Sequence, residues 1–153
     1  MSDFEREIVN CLNCFFKTHH IPGFAYRTRQ HTVKGGCTDV LVDSPHPSYF
    51  LSITCKSIID KKLYFSQHFH TGEEKVHRMD AIADFLKTSG RAGFLALEFR
   101  QGPGKESEAF LIPWPVVAAH FREDTGIAID DARSGIVLTR SKDGYRLDSL
   151  NAK

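Results

Sequence analysis

Two β-rich runs joined by a turn-forming pentapeptide constrain the fold of this chain more than any other stretch. The first run, residues 38–42, contains Asp39, and the second, residues 49–56, ends on Lys56. The sequence between them reads SPHPS, a mixture of proline and serine that favours a turn. The stretch from Gly35 to Ser57 therefore predicts a β-hairpin whose pairing brings Lys56 back beside Asp39.

The second run has one apolar face and one face that is polar at its end. Side chains alternate along a strand, so Thr54 and Lys56 project one way while Ile53 and Cys55 project the other. A lysine at the end of a half-buried strand, aimed with a small polar residue toward an acid on the next strand, suits phosphodiester hydrolysis.

The expected chemistry gives each of these groups a role. Asp39 would hold a divalent metal that polarises the phosphate, and Lys56 would orient or help to deprotonate the attacking water. Glu5, on a predicted helix, would add a third ligand or position the phosphate if that helix packs over the sheet. Solvated charges at the ends of strands are the alternative explanation of the same spacing.

Hydrophobic spacing predicts an α/β fold in the order α-β-β-β-α-β-β-α, with a short C-terminal β-hairpin. A chain of 153 residues buries about 70% of its unfolded surface on folding, so we expect a single domain over residues 1–153. Helices are predicted over residues 3–17, 73–89 and 115–121. Strands are predicted over residues 24–27, 38–42, 49–56, 92–99, 109–113, 135–139 and 145–147.

The composition is that of an ordinary globular protein, and its near-neutral charge restricts where a nucleic acid could bind. The chain is 41% hydrophobic with a net charge of +1, so any basic surface must be local. Residues 27–34 are such a place: Arg27, Arg29, His31 and Lys34 could contact phosphates while Tyr26 stacks on a base. Solvated loop charges explain these residues equally well.

Two further groups of residues suggest metal or redox sites. The cysteines, including the Cys11-x-x-Cys14 pair, lie among apolar neighbours without a second pair, and we expect buried thiols. His68, His70 and His77 could share a transition metal, but no carboxylate or cysteine is spaced to complete the site. Polar loop histidines are the alternative.

The same central stretch resembles the PD-(D/E)XK nuclease superfamily, specifically the Holliday junction resolvases of the archaeal type and of the bacterial RecU type. The matching stretches are FEREIV at 4–9, TD at 38–39 before an apolar strand, LSITCK at 51–56 in place of a strand ending in Glu-x-Lys, KVHRM at 75–79 and GFLAL at 93–97. The tail, with FLIP at 110–113 and YRLDSL at 145–150, is more similar to the RecU type.

The resemblance implies a restriction-endonuclease-like core, a central mixed β-sheet flanked by helices. It implies Glu5, Asp39 and Lys56 as active-site positions, and it puts Lys75 near the family's helix glutamine. It also implies an Mg²⁺- or Mn²⁺-dependent endonuclease of DNA recombination and repair that acts as a homodimer on branched or junction DNA. Because no apolar run approaches the roughly 20 residues of a membrane span, we expect a cytoplasmic protein, associated with the nucleoid if it binds DNA.

Thr54 departs from the family pattern, because it stands where the family has a metal-binding glutamate. A hydroxyl is a weak neutral ligand for a hard divalent cation, which favours carboxylates. Either a displaced acid compensates, with Asp43, Asp60 and Glu98 as candidates, or the chain is a catalytically degraded relative that binds DNA or acts as an assembly module. A third possibility, an interaction domain without a nucleic-acid partner, is consistent with the near-neutral charge.

Overall fold

A seven-stranded mixed sheet forms the centre of the structure, a computed structural model that describes residues 3–28, 38–65, 78–123 and 126–150. The helices are α1 (Asp3–Thr18), α2 (Arg78–Ser89), α3 (Trp114–Glu123) and the short α4 (Ile129–Ala132). The strands are β1 (Phe24–Arg27), β2 (Val40–Asp43), β3 (Leu51–Ile58), β4 (Lys62–Tyr64), β5 (Ala92–Phe99), β6 (Glu108–Pro113), β7 (Gly126–Ala128), β8 (Ile136–Ser141) and β9 (Gly144–Arg146).

The strand order within the sheet is β1-β2-β3-β5-β6-β8-β9. Strands β3 and β5 run parallel, while the other neighbours of the sheet are antiparallel. This order confirms the predicted mixed sheet, the predicted sequence of elements and the C-terminal hairpin. Within the described residues, no helix is long and apolar enough to cross a membrane.

Helices cover both faces of the sheet, and each face has its own hydrophobic cluster. Helix α1 buries Phe4, Ile8, Leu12 and Phe15, which recur at the spacing of one helical face, against the side of the sheet that includes Ile53. Helices α2 and α3 cover the other side, and Trp114 is buried there. The sheet is therefore shielded on both sides except near its strand ends.

Several predicted boundaries are wrong or lie outside the described residues. Residues 47–49 form a 3₁₀ turn rather than the start of the second strand, because Pro47 occupies the start of that turn and the strand begins only at Leu51. Cys11 and Cys55 are buried as expected, but Cys14 is exposed because it lies on the outward face of α1. The predicted helical residues 73–77 are outside the described part of the chain.

The sequence analysis did not predict β4, β7 or α4. Strands β4 and β7 pair antiparallel in a separate two-stranded ribbon, in which Leu63 is opposite Ile127. Both of these residues belong to the cluster beneath α2 and α3. Strands of three residues are too short for an alternating pattern to distinguish them from a loop.

The two partners of β3 differ in length, and this difference creates a fork in the sheet. Strand β5 pairs with all of β3, from Leu51 to Ile58, whereas β2 pairs only with Leu51 to Ile53. Beyond Ile53, the edge of β3 that faces β2 has no strand partner among the described residues. Asp39 lies at the base of this fork, directly ahead of β2.

Candidate active site

The backbone and side chain of Asp39 both bind the end of the β2–β3 ladder. Its N–H donates to the carbonyl of Ile53 at 3.1 Å, and its carboxylate oxygen Oδ2 accepts the N–H of Cys55 at 2.8 Å. The carboxylate thus replaces the strand partner that β3 lacks at this point. Thr38, which is buried, supports the bend because its hydroxyl donates to the carbonyl of Val40 at 3.0 Å.

Thr54 lies beside Asp39, where the resemblance predicts a carboxylate. Val40 is opposite Ile53 in the antiparallel register, and Asp39 binds the backbones of Ile53 and Cys55, the residues on either side of Thr54. Thr54 is 6% exposed, so a glutamate at this position would have to be largely desolvated.

Glu5 approaches the fork from helix α1 and binds an arginine. Arg27, at the end of β1, donates from Nη2 to Glu5 Oε1 at 2.9 Å, and both side chains are about one quarter exposed. The sequence analysis assigned Arg27 to DNA phosphates and Glu5 to a metal. In this structure the two side chains neutralise each other.

The pKa of the Cys55 thiol depends on the charges of several predicted site residues. Burial raises the pKa of this thiol well above its ordinary value, and the negative charges of Asp39 and Glu5 raise it further. The positive charges of Arg27 and Lys56 lower it.

Strand parity defines the direction from which each group reaches the fork. Lys56 is half-buried, and its side chain projects to the same face of β3 as that of Ile58, which packs on the α2 side of the sheet. Thr54 projects to the same face of β3 as Lys56, whereas Glu5 lies on α1, the helix that covers the opposite face. Asp39 meets β3 at its backbone, where its carboxylate accepts the N–H of Cys55.

Comparison with known proteins identifies the fold. No family model matches the chain, and no curated protein matches it at a significant level. Among solved structures, the chain is similar to Hjc from Archaeoglobus fulgidus, a Holliday junction resolvase from an archaeal hyperthermophile. The match has a TM-score of 0.57 and 17% sequence identity, and it covers 88% of this chain and 91% of Hjc. The chain has a nuclease-like fold. Its mixed sheet, flanked by helices, is the restriction-endonuclease-like arrangement of Hjc.

The resemblance described in the sequence analysis implies a divalent metal, so the oxygen donors at the fork need to be compared with what such an ion requires. Within the described residues, no three Asp, Glu, His or Cys side chains lie close enough to hold a metal. The hard donors present are the Asp39 and Glu5 carboxylates and, by strand register, the carbonyl of Cys55, which faces the open edge. Mg²⁺ commonly binds through one or two carboxylates together with substrate phosphates. A donor set of this composition would suit an ion that arrives with its substrate rather than an ion held by protein alone.

The three acids that might compensate for Thr54 do not join this group. Asp43 lies at the other end of β2, about 13 Å away along the strand. Asp60 is exposed in the connection that follows β3. Glu98 is 6% exposed on β5 and accepts hydrogen bonds at 2.6 Å from both Ser57 Oγ and Tyr145 Oη.

The buried network around Glu98 was not predicted, although Glu98 itself was considered as a ligand. Ser57 is opposite Glu98 in the parallel register, so β3 and β5 bring the two side chains together on the α1 side. Burial and the hydrogen bond to Glu98 both raise the pKa of Tyr145, which keeps the phenol protonated as a donor. The Glu98 carboxylate therefore connects β3, β5 and β9 and stabilises the end of the strand that carries Lys56.

Other predicted site residues fall outside the described part of the chain. This applies to four of the predicted DNA contacts and to the predicted histidine group. They are Arg29, His31, Lys34, Lys75, His68, His70 and His77. The sequence also contained no local signal that Arg27 would bind Glu5, because the two residues are 22 positions apart.

Proposed function

We propose that this chain is a metal-dependent, structure-selective DNA endonuclease of the Holliday junction resolvase type. The observation that carries the proposal is the hydrogen bond by which the Asp39 carboxylate binds the N–H of Cys55, the residue before Lys56, at the β2–β3 fork of a nuclease-like fold. Its partner would be branched DNA, and its process DNA recombination and repair. The protein would act as a cytoplasmic, nucleoid-associated homodimer.

Each side chain at the fork has a distinct proposed task. Asp39 and Glu5 would hold Mg²⁺ or Mn²⁺, and the bound ion would polarise the scissile phosphate. Lys56, half-buried beside Asp39, would orient the attacking water or accept its proton, a role that suits a lysine whose ammonium is partly desolvated. Arg27 would bind a DNA phosphate, together with the predicted contacts Arg29, His31, Lys34 and Lys75.

The proposal is tested by incubating the protein with a four-way DNA junction and Mg²⁺ or Mn²⁺. We expect cleavage by the wild type and its loss in Lys56→Met. Lys87→Met removes an exposed lysine on α2 and serves as the matched control that retains cleavage. Cleavage that persists in Lys56→Met would refute the assignment of the site.

A second function, DNA binding without turnover, is supported by two specific observations. Thr54 replaces the family's glutamate, and Arg27 neutralises Glu5. This function predicts junction binding that weakens with salt and no cleavage with any divalent metal. Thr54→Glu would then raise the affinity for Mn²⁺ in calorimetry. Efficient cleavage by the wild type would exclude this second function.

A further inference from the structure

The segment from Ile59 to Tyr64, here called the β3–β4 segment, continues directly from the strand that carries the site. Ile59 is three residues beyond Lys56, which corresponds to about 10 Å along an extended chain. It is 72% exposed, and Tyr64, at the other end of the segment, is 40% exposed. The segment therefore presents apolar groups to solvent a short distance from the fork.

The backbone of the segment is held at several points, so this exposure does not result from a loose loop. The N–H of Arg100 donates to the carbonyl of Ile58 at 2.8 Å, and the N–H of Ile129 donates to the carbonyl of Lys61 at 3.0 Å. Leu63 is fully buried and pairs with Ile127. The backbone of the segment is thus fixed, while the side chains of Ile59 and Tyr64 at its two ends are exposed.

Gly126 allows strands β4 and β7 to pair closely. A Cβ atom at Gly126 would lie 1.9 Å from the carbonyl oxygen of Leu63, which is far inside contact distance. Only glycine permits β7 to approach β4 this closely. The close contact of the two strands fixes the direction in which the segment leaves the sheet.

Exposed basic side chains lie at the same end of the sheet. Lys61 and Arg100 are exposed, and Lys62 lies with its Nζ 5.6 Å from the centre of the Tyr64 ring. Asp60 is the acid of the segment, and the nearby acids Glu108 and Asp130 form ion pairs with Arg133. Arg100 makes no ion pair within the described residues, in contrast to six other arginines. Those six are Arg6, Arg27, Arg91, Arg133, Arg140 and Arg146.

We propose that the β3–β4 segment, together with Arg100, is a second DNA-contact surface that binds the duplex arm next to the scissile phosphate. This inference rests on the proposed function. Lys61, Lys62 and Arg100 bind phosphates, while Ile59 and Tyr64 pack against sugars and bases. Stacked base pairs rise about 3.4 Å each, so a contact 10 Å from Lys56 meets the DNA about three base pairs from the cleaved position.

DNA matches this surface better than a protein partner does, because both kinds of contact occur together. Basic side chains recognise the phosphate backbone without regard to sequence, and exposed aromatic or aliphatic groups pack on bases or between base steps. A four-way junction offers unstacked base pairs near its crossing point. The exposed side chains of Ile59 and Tyr64 therefore favour branched DNA over a linear duplex.

The experiment measures junction binding by the full chain without divalent metal, by fluorescence anisotropy at a series of salt concentrations. The test variant combines Lys61→Ala, Lys62→Ala and Arg100→Ala. The control combines Lys17→Ala, Lys87→Ala and Lys142→Ala, which remove the same charge from exposed positions elsewhere. We expect the test variant to bind about tenfold more weakly. The salt slope, which is the slope of the logarithm of the binding constant against the logarithm of the salt concentration, should fall in magnitude by about 3, roughly one for each phosphate contact. The control should change the slope by less than about 1.

Ile59→Ser provides an independent measurement that leaves the charge unchanged. It should reduce the preference for a junction over a linear duplex of equal length about threefold, with the salt slope unaltered. Equal losses in the two triple variants, or an unchanged preference in Ile59→Ser, would overturn the proposed surface while leaving the endonuclease assignment intact. A wild type that binds no DNA would instead overturn the proposed function, and the surface with it.

Discussion

Strand β2 ends at Asp43 and is directly preceded by Asp39, and the two carboxylates have very different surroundings. Asp43 accepts hydrogen bonds from Tyr26 Oη at 2.8 Å and from Arg91 Nη2 at 2.9 Å. Asp39 accepts the backbone N–H of Cys55, at the point where the two strands part. The first end of β2 is closed by side chains, and the second opens into the fork.

Arg91 explains why the Asp43 end is closed. Its guanidinium also donates to the carbonyls of Val42 and Leu51, at 3.0 and 3.1 Å, and lies 4.0 Å from the centre of the Phe50 ring. One side chain thus ties together β2, β3 and the residue before β5. The two aspartates therefore differ in their surroundings: side-chain donors surround Asp43 and stabilise the fold, whereas Asp39 binds the backbone of β3 where its pairing with β2 ends.

The largest difference is expected in catalysis. Asp39→Asn should slow junction cleavage about 10³-fold, since a carboxylate that holds a metal contributes several kcal/mol to the transition state. Asp43→Asn should slow cleavage less than about threefold. Single-turnover rates at saturating Mg²⁺ measure both variants. Comparable losses of cleavage rate in the two variants would contradict the distinction between a catalytic Asp39 and a structural Asp43.

The next largest difference is expected in stability. Arg91→Ala should lower the free energy of unfolding by about 3 kcal/mol, because two carbonyls and a carboxylate lose a largely buried charged donor. Arg27→Ala, at the fork, should cost under about 1 kcal/mol, because Arg27 is 26% exposed, against 12% for Arg91, and its ion pair with Glu5 is a single contact. Urea denaturation provides both values. If Arg27→Ala lowered the free energy of unfolding as much as Arg91→Ala, the two ends of β2 would not differ in their contribution to stability.

Alkaline pH should weaken the protein through its buried thiols. Burial raises the pKa of Cys11 from 9.0 to about 12 and raises that of Cys55 in the same direction. In the unfolded chain both thiols ionise near their ordinary pKa, whereas in the folded protein they keep their protons. The stability that they contribute is therefore complete below about pH 9 and falls as pH rises toward 12, by up to about 1.4 kcal/mol per pH unit for each thiol.

Urea midpoints between pH 8 and pH 11 check this expectation, and Cys14→Ala serves as the exposed control. Cys55→Ala should reduce the loss at high pH, because one of the ionising groups is absent from the unfolded chain. The result would bear directly on the fork, since Cys55 is its central buried residue. A midpoint that is constant over this pH range would contradict the prediction.

The smallest effect concerns the ion pair at the fork. Glu5→Gln should raise the affinity for junction DNA about threefold, because Arg27 no longer has to leave a carboxylate before it binds a phosphate. Arg27→Gln should lower the affinity and reduce the salt slope by about 1. Anisotropy titrations of both single variants and of the double variant measure the coupling. Additive effects in the double variant would show that the ion pair does not regulate binding.

The sequence predicted those features that depend on local patterns. Alternation along β3 and the turn after β2 were sufficient to predict that β2 pairs with β3, and helical spacing was sufficient for α1. The partner of Arg27 and the closure by Arg91 were not predictable, because each connects residues 22 or more positions apart. Such contacts depend on how the strands are ordered in the sheet, and the periodicity of one strand does not contain that order.

The parallel pairing of β3 with β5 also has a consequence for how the chain folds. Strands β1, β2 and β3 follow one another with antiparallel pairing, so their contacts can form early and locally. The pairing of β3 with β5 requires the closure of a 33-residue connection, residues 59–91, and such non-local contacts form slowly. We expect refolding to be limited by this closure. Strand β2 should therefore pair with β3 before β5 pairs with the end of β3 that carries Lys56.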